Sequence, residues 1–458
     1  MAIASVTFGN LAELVKEFAP AKYATAVNMA VPVLADNVIK KADPDDSTVL
    51  VYGLPDGMSS TTFVEDLGDL PLGIANTPFE GKAIPKPLVS VIRLGRSVSN
   101  AKMPDAKKAT ILDAHLESGA RNTARQLGRG LFGGTVSPDV TALWTNDGDL
   151  DDTVTLDFED ISLFRVGQAY DFVDVDATKS YVVRCQSVTP KALNNSANVA
   201  GTVVFINDVK DSSGNQQYIN STNANLGTAI TVDTADKFAL RGTFTSSNFA
   251  SAYAGTATAS GNALTSLDDI CGSGATANIY GINASSSNFK GQSATASAPY
   301  SQELVLSFLA QMELYSDMGP NQVVCSPKVA AAHAASAGIH GAMIYGSTTG
   351  VPATGAVGGF SQKNIEKSMD KYGSAAKMTV RGLPITVDPN CPAGSIFMFN
   401  DTTLKLYQWR EMGVVDEEGN GIRVLDDKYG FQIHIAGECE LVAHERRDCG
   451  SILGIGSL

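Results

Sequence analysis

The sequence predicts a mixed α+β fold, and the prediction rests on where its helical and β-patterned segments lie. One long helical pattern covers residues 104–131, short β-patterned segments follow from 135 to 262, and a further β series runs from Met378 to the C-terminus. Helices and strands that occupy separate stretches of a chain are typical of α+β proteins, whereas regular alternation would indicate a parallel sheet. A length of 458 residues allows two or three domains.

Residues 1–47 carry helical patterns in two pieces. The apolar residues of the first piece fall on one helical face: Leu11, Leu14, Val15 and Phe18. The second piece, from Tyr23 to Lys41, is apolar enough to need a partner surface, and we expect Pro32 to kink or split it. An opening of this kind, without a core of its own, indicates an arm that lies on another surface. An ordinary helix pair packed on its own domain is the alternative.

Residues 48–103 predict two β-arms around a long excursion. TVLVYGLP contains the first strand and LVSVIRLGRSVS the second, and the stretch from Asp56 to Pro87 between them is rich in Gly, Pro, Asp and Thr. A hairpin with so few apolar residues is marginal alone and needs another surface. The alternative is a long surface loop that folds back on its own domain.

Residues 104–131 form the clearest helical pattern, opened by Pro104 and Asp105. Its length corresponds to about 40 Å at ~1.5 Å per residue. The glycines at 130, 133 and 134 are expected to end it. One apolar stripe runs along it through Leu112, Leu116, Ala120, Thr123, Leu127 and Leu131. The polar side is predicted to carry Arg121, Arg125 and Arg129, and His115 beside the stripe is predicted to be packed.

Residues 135–262 predict a compact β-domain, a small barrel or sandwich, because short strands recur with turn signals between them. The β-patterned segments are TVTLDF, ISLFRVG, YDFVDV, SYVVRCQSV, GTVVFIND and TAITVD. A carbohydrate-binding module is the functional alternative to a decoration that adds contacts or bulk.

Mixed structure returns in residues 263–377. We predict a helix from Ser301 to Met318, a strand in NQVVCSP and a further helix in KVAAAHAAS. The Gly/Thr-rich first half of 345–374 is predicted to be a loop. The buried side of the first helix is predicted to comprise Leu304, Val305, Phe308, Leu309 and Met312.

The C-terminal β series contains three distinctive segments: RGLPITVDP, NDTTLKL and RRDCGSILGI. Together with the preceding order of arm, long loop and long helix, they resemble the tailed-phage major capsid proteins of the Hong Kong 97 type. The resemblance implies an N-terminal arm (1–47), an extended loop (48–103) and a spine helix of a peripheral domain (104–134). It further implies an axial domain with connecting elements (263–400) and C-terminal strands of both domains (401–458). Residues 135–262 lie outside the resemblance and are assigned as an inserted β-rich domain from their own strand pattern.

The resemblance also implies a function. The chain would be a structural protein and not an enzyme, assembling with itself as hexamers and pentamers into an icosahedral shell around double-stranded DNA. Expected partners are a separate scaffolding protein, a portal and a cement protein, and the location is the virion, assembled in the host cytoplasm. The alternatives are a nanocompartment shell of the encapsulin type and, from another class, a β-rich adhesin or carbohydrate binder.

Composition excludes several classes. A formal net charge of −14 is repelled by phosphates, so a sequence-specific DNA reader is not expected, although an acidic container for DNA is compatible with it. No segment reaches the ~18 apolar residues of a membrane span, and the N-terminus lacks a signal-peptide pattern. The six cysteines contain no CxxC pair, which favours reduced thiols over a zinc site or disulfide framework.

No catalytic, cofactor or metal site is predicted. His444 and Glu445 near Cys449 are a weak candidate for thiol chemistry, because adjacency does not establish geometry. The acidic runs at Asp43, Asp45 and Asp46 and at Asp147, Asp149, Asp151 and Asp152 lack the spacing of a calcium loop. Some members of the capsid family cross-link a loop lysine to an asparagine; Lys82, Lys86 and Asn400 are the residues to consider, but no motif pairs them, and no cross-link is predicted.

Overall fold

A computed structural model describes most of the chain outside several loops and the N-terminus. The described residues are 31–53, 79–95, 105–133, 135–139, 142–144, 153–174, 179–191, 201–206, 230–242, 264–272, 275–276, 278–284, 289–296, 299–316, 318–333, 379–414, 423–424 and 430–456.

The helices are Pro32–Ala35, the long helix Asp105–Phe132, Leu267–Cys271, the core helix Gln302–Tyr315, and a helix over 327–333, with a 3₁₀ turn at Arg446–Asp448. Strands β1 to β11 are Lys40–Ala42, Val49–Gly53, Phe79–Ala83, Lys86–Gly95, Ala142–Trp144, Thr153–Phe158, Ala169–Asp174, Lys179–Pro190, Gly201–Ile206, Ile230–Val232 and Lys237–Leu240. Strands β12 to β20 are Gln292–Thr295, Gln322–Cys325, Thr379–Val380, Leu383–Val387, Ile396–Phe399, Leu404–Val414, Arg423–Val424, Gly430–Ala443 and Gly450–Leu453.

The first of two compact units comprises Met1–Val49, Ala83–Arg129 and Lys405–Val442. Its sheet has the order β1-β17-β19-β18, and β4 pairs with β19 in addition. Strand β1 runs parallel to β17, whereas β4 runs antiparallel to β19 over ten residue pairs. Among the described strands β4 pairs only with β19, so its other edge carries no strand.

The long helix covers this sheet with the predicted apolar stripe. Leu116, Ala120, Thr123 and Leu127 are buried, and Leu127 lines a small cleft together with residues of β4, β17 and β19. The helix spans 28 residues, close to its predicted bounds. Two predictions about side chains of this helix were wrong.

The first correction concerns Arg129, which is 2% exposed although Arg121 and Arg125 are exposed as predicted. The second concerns His115, which is exposed and not packed. A helical repeat locates one apolar stripe, but the fraction of the circumference that becomes buried depends on what surrounds each turn.

The described part of the predicted arm belongs to the first unit. Pro32 occupies the first turn of a four-residue helix, a position where its missing N–H costs nothing. The prediction of helix as far as Lys41 is wrong, because Asn37 adopts φ +53 and residues 40–42 form β1. Residues 1–30 lie outside the described chain. Residues from Val31 to Ile39 supply five buried side chains: Val31, Val33, Leu34, Val38 and Ile39.

The pairing of the two β-arms also differs from the prediction. The strand in TVLVYGLP is β2, and its partner is β3, which lies inside the stretch assigned to the excursion. The second predicted arm is β4, which pairs with β19 instead. Residues 54–78 lie outside the described chain. Strand pairing is a non-local property, and the alternation in each segment does not specify its partner.

The second unit comprises Leu50–Lys82, Gly130–Leu404 and Ala443–Leu458. Within it the β insert (residues 135–262) has a five-stranded antiparallel sheet of order β11-β7-β8-β9-β6 and a separate β5–β10 pair. Its core contains six aromatic rings, each fully buried: Phe158, Phe164, Tyr170, Phe172, Phe205 and Phe238.

The predicted strand ISLFRVG is not a strand. Residues 161–168 form turns that fold over the core, with Leu163 and Phe164 buried. The hydroxyl of Tyr170 donates to the carbonyl of Leu163 at 3.0 Å and accepts from the backbone N–H of Arg165 at 2.7 Å. These side-chain bonds satisfy backbone groups that a strand would have paired with a neighbouring strand.

The chain enters and leaves the β insert at one point. Gly133 has φ +67 and lies directly against the side chain of Ser266, so that a Cβ at position 133 would overlap it. Two polar contacts join the insert to the rest of the unit. The backbone N–H of Ala393 donates to Asp160 at 3.3 Å, and Lys328 pairs with Glu159 at 2.9 Å.

The other sheet of this unit has six strands in the order β12-β20-β16-β13-β15-β14. The pairs β12–β20 and β13–β15 are parallel, and β13–β16, β16–β20 and β14–β15 are antiparallel. The core helix packs on it through Val305, Phe308, Leu309 and Met312, as predicted, whereas Leu304 is only partly buried. The helix ends at Tyr315, three residues before the predicted Met318.

Candidate functional site

The thiol candidate near the C-terminus does not form a nucleophilic site. Cys449 is fully buried, and burial raises the pKa of its thiol, the opposite of what a nucleophilic cysteine needs. The backbone N–H of His444 donates to the carbonyl of Thr403, and Glu445 lies 4.0 Å from the guanidinium of Arg447. These contacts are those of a turn and not of a catalytic arrangement.

The acidic candidate that the structure describes, at Asp43, Asp45 and Asp46, does not gather as a set of metal ligands. Asp43, Asp45 and Asp46 are exposed, and the carbonyl of Asp46 accepts from the indole N–H of Trp409 at 2.9 Å. The run from Asp147 to Asp152 lies outside the described residues. Within the described ranges, no group of three His, Cys, Asp or Glu side chains converges as metal ligands. No described helix is both long enough and apolar enough to cross a bilayer.

Asn400 serves as a turn residue and not as an accessible acceptor. It is buried, its side-chain amide donates to the carbonyl of Gly319 at 2.8 Å, and its side-chain oxygen accepts from the N–H of Thr402 at 3.0 Å. Lys82 lies exposed on β3, where its backbone N–H donates to Tyr280 at 2.9 Å. Both functional atoms of Asn400 are therefore occupied within the chain. Lys86 is partly buried on β4.

Arg446 is a structural centre that the sequence did not reveal. Its guanidinium is buried and donates to the carbonyls of Asp269 at 2.6 Å, Ile270 at 2.7 Å and Phe289 at 3.3 Å. Burial lowers the pKa of Arg446 to about 10. Burial likewise raises the pKa of Asp269 to about 6, although its carboxylate accepts from Ser266. This contact set joins the RRDCG segment to residues 266–289.

The NDTT segment and the RRDCG segment converge on one loop. This loop follows the core helix and contains Asn321. The side-chain amide of Asn321 donates to the carboxylate of Asp401 at 2.6 Å, and the backbone N–H of Asp401 donates to the side-chain oxygen of Asn321 at 3.0 Å. The backbone N–H of Met318 points to a carboxylate oxygen of Asp448 at 3.5 Å. Two of the three distinctive C-terminal segments thus fix the position of residues 316–321.

Outside the β insert, large apolar side chains are exposed in two parts of the described chain. In residues 49–95 they lie on β2, β3, β4 and the turn between β3 and β4: Leu50, Tyr52, Phe79, Ile84, Val89 and Val91. In residues 302–318 they lie on the core helix and in its following loop: Leu306, Leu314, Tyr315 and Met318. Exposed apolar side chains mark an interaction site where they form a contiguous patch.

The β insert offers little support for sugar binding in its described part. Sugar-binding sites use an aromatic platform, but the six aromatic side chains of the insert whose burial is described pack into its core. Val166 is the large apolar residue that the described insert exposes. The carbohydrate-binding alternative therefore gains no residue from these side chains.

No family model and no curated protein matches the chain. Among solved structures it is similar to the cyanophage A-1(L) capsid, with TM-score 0.46, 10% identity, and coverage of 91% of this chain and 90% of that one. It is similar to the capsid of the empty GTA particle, with TM-score 0.41, 8% identity, and coverage of 94% and 90%. It is also similar to the SrpI encapsulin of Synechococcus elongatus, with TM-score 0.36, 9% identity, and coverage of 93% and 90%. The solved structures that this chain resembles over nine tenths of its length include phage capsid proteins and an encapsulin shell.

Proposed function

We propose that the chain is the major capsid protein of a tailed phage, a structural protein whose copies close into a shell around double-stranded DNA. The sequence supports this through the order of arm, extended loop, long helix and C-terminal strands. The runner-up is a nanocompartment shell of the encapsulin type, which would use the same assembly surfaces around a protein cargo.

The observation that carries the proposal is an edge of β4 that no described strand covers. This strand has ten residues, pairs on one side with β19, and exposes Val89 by 52% and Val91 by 46% on its outer face. An edge strand presents unpaired N–H and C=O groups, and proteins that remain monomeric usually blunt such edges with charges, bulges or a covering element. The central residues 88–92 of β4 carry no charge and no proline, so this part of the edge is suited to being covered by other copies.

The chemistry of the described residues fits a structural role. Its buried polar groups, such as Arg446 and Asn400, hold turns and strands together by bonds to backbone atoms. Burial raises the pKa of the Cys325 and Cys439 thiols to about 12. These groups stabilise a fold and are not activated for reaction.

Assembly is tested with the purified chain by light scattering and electron microscopy. We expect capsomers or closed shells, and a monodisperse monomer at high concentration would overturn the proposal. Val91→Lys places a charge on the β4 edge, so it should keep the fold by circular dichroism and reduce assembly. Val166→Lys is the matched control, since Val166 is equally apolar and 67% exposed but lies in a turn of the insert. Equal assembly by both variants would show that the β4 edge is not a contact between copies.

Nuclease-protected nucleic acid in particles recovered from the producing host distinguishes the two shell hypotheses. A phage capsid should protect double-stranded DNA of uniform length, whereas a nanocompartment should contain protein cargo. DNA-free particles with a stoichiometric second protein would favour the encapsulin alternative.

A further inference from the structure

The core helix Gln302–Tyr315 has an apolar face toward solvent in addition to the one it buries. Its inner face packs in the six-stranded sheet's core. Its outer face carries Leu306, Ala310 and Leu314, which are spaced four residues apart and are exposed. Residues at this spacing lie above one another on a helix. A helix that is apolar on both sides is normally covered on both sides.

The exposed face continues past the end of the helix into an apolar tip, defined as Leu314, Tyr315 and Met318. Leu314 is 81% exposed, Tyr315 66% and Met318 64%. These are the most exposed large apolar side chains described in the chain besides Val166 at 67%. Leaving three such side chains in water forgoes ~1.5–3 kcal/mol of burial for each of them.

The apolar tip is held in place by polar contacts and is not a loosely attached loop. Gly319 adopts φ +69 and its carbonyl accepts from Asn400, while Asn321 and Asp401 exchange two hydrogen bonds. The N–H of Met318 faces Asp448. Pre-organised apolar side chains contribute strongly to binding because little conformational freedom is lost when they are covered.

The charges beside the tip are self-complementary. Arg381, at the β14–β15 turn, pairs with Glu313 of the core helix at 2.7 Å, and the two side chains are 50% and 47% exposed. The rim therefore presents one positive and one negative group side by side. A second copy that faces this rim brings the same two charges and can pair Arg381 of each copy with Glu313 of the other. Such a rim matches a copy of itself better than it matches a uniformly charged partner.

The size of the surface indicates how this contact operates. The tip and the helix stripe together comprise five side chains, Leu306, Ala310, Leu314, Tyr315 and Met318, fewer than the ~20–30 residues per partner of a stable interface. Two isolated copies would therefore not remain paired through this surface alone. Within a closed assembly the same contact is repeated and other contacts hold the copies together, so weak pairings add up.

We propose that the apolar tip, with the Arg381–Glu313 rim, is a contact between copies of this chain that operates within the assembled shell. The inference rests on the proposed function, since it requires an assembly. In this contact the tip of a second copy covers Leu314, Tyr315 and Met318. Arg381 of each copy forms an ion pair with Glu313 of the other.

The first experiment compares assembly of Leu314→Glu with that of the parent and of Val166→Glu. All three proteins should fold equally by circular dichroism, because both replaced side chains are largely exposed. We expect the Leu314 variant to lose closed particles in sedimentation velocity while the Val166 variant assembles like the parent. A parent that fails to assemble overturns the proposed function. A parent and a Leu314 variant that assemble equally overturn the tip contact and leave the proposed function standing.

The second experiment separates contacts between copies from contacts within one copy. Glu313→Arg makes both rim charges positive, and Arg381→Glu makes both negative, so each variant alone should assemble at least several-fold less than the parent. Mixing the two variants places positive rims opposite negative rims and should restore assembly. A purely internal role of the ion pair predicts no recovery on mixing, because each molecule keeps its own like-charged pair. Absence of recovery therefore overturns the proposed pairing.

Discussion

Replacing Arg446 by methionine should strongly destabilise the second unit. The guanidinium donates to the carbonyls of Asp269, Ile270 and Phe289, and Arg446 has no exposed surface. Methionine fills similar volume but donates no hydrogen bond, so three carbonyls lose a buried donor. At ~1–3 kcal/mol for each such group, with partial relaxation, we expect a loss of about 3–6 kcal/mol. Total stabilities of ~5–15 kcal/mol make this a large fraction.

The assay is urea and thermal unfolding of the unassembled chain, so that assembly does not add to the measured stability. A loss of this size should lower the midpoint by on the order of 10 °C. Arg446→Lys should recover only part of it, because a single ammonium cannot reproduce the planar fork. Arg447→Met is the matched control, since that side chain is 28% exposed and its replacement should cost about 1 kcal/mol or less. Midpoints for Arg446→Met and Arg447→Met that agree within error would refute the assigned role.

Four further predictions follow from the described contacts. Leu127→Asp should cost several kcal/mol in urea unfolding because it buries a charge between helix and sheet, whereas the exposed Arg125→Asp should cost under ~1 kcal/mol. Denaturing gels of mature particles should show no covalent ladder. Replacing residues 135–262 by a Gly/Ser linker should leave a folded chain by circular dichroism, with a slightly lower midpoint. Burial lowers the pKa of His333 in the folded state below the ~6.5 of the unfolded chain, so the unfolded state binds the proton more readily. The free energy of unfolding should therefore fall as the pH drops below ~6.5, and His333→Gln should reduce that fall.

Each of these has a defined contrary result. Equal midpoints for the Leu127 and Arg125 variants would place the stripe elsewhere on the helix. A ladder that disappears with Lys82→Arg would contradict the occupied state of Asn400. Insoluble protein on removal of the insert would show that it belongs to the core of the second unit. Asp269 titrates in the opposite sense, since its pKa raised to about 6 favours the folded state at low pH, so the His333 effect is measured as the difference between variant and parent.

Sequence patterns predicted those helices whose apolar repeat lies within one continuous segment. The long helix and its stripe follow from a repeat within one segment, and Asp105–Phe132 matches the expected range closely. The core helix was found for the same reason. The position of Arg129 was missed because burial at one end of a helix depends on distant residues that surround it.

Non-local pairings were not predictable from those patterns. TVLVYGLP was recognised as a strand, but its partner β3 is short and polar, and nothing in its composition distinguishes it from a loop. The structural importance of Arg446 was equally hidden, because Arg446 and Arg447 are adjacent and identical in the sequence. Only the fold distinguishes the fully buried Arg446 from the partly exposed Arg447. The apolar tip was missed because the helix was predicted to continue to Met318, and no exposure was assigned to Leu314 or Met318.

The buried cysteines allow local unfolding of the chain to be measured by thiol labelling. All six thiols are buried, so a thiol reagent can modify them only after the surrounding structure opens. Cys439 lies in the first unit, and the other five lie in the second. Mass spectrometry of time-resolved labelling would therefore yield separate opening free energies for the two units without an added probe. The same measurement on assembled particles would show which unit is stabilised by contacts with other copies.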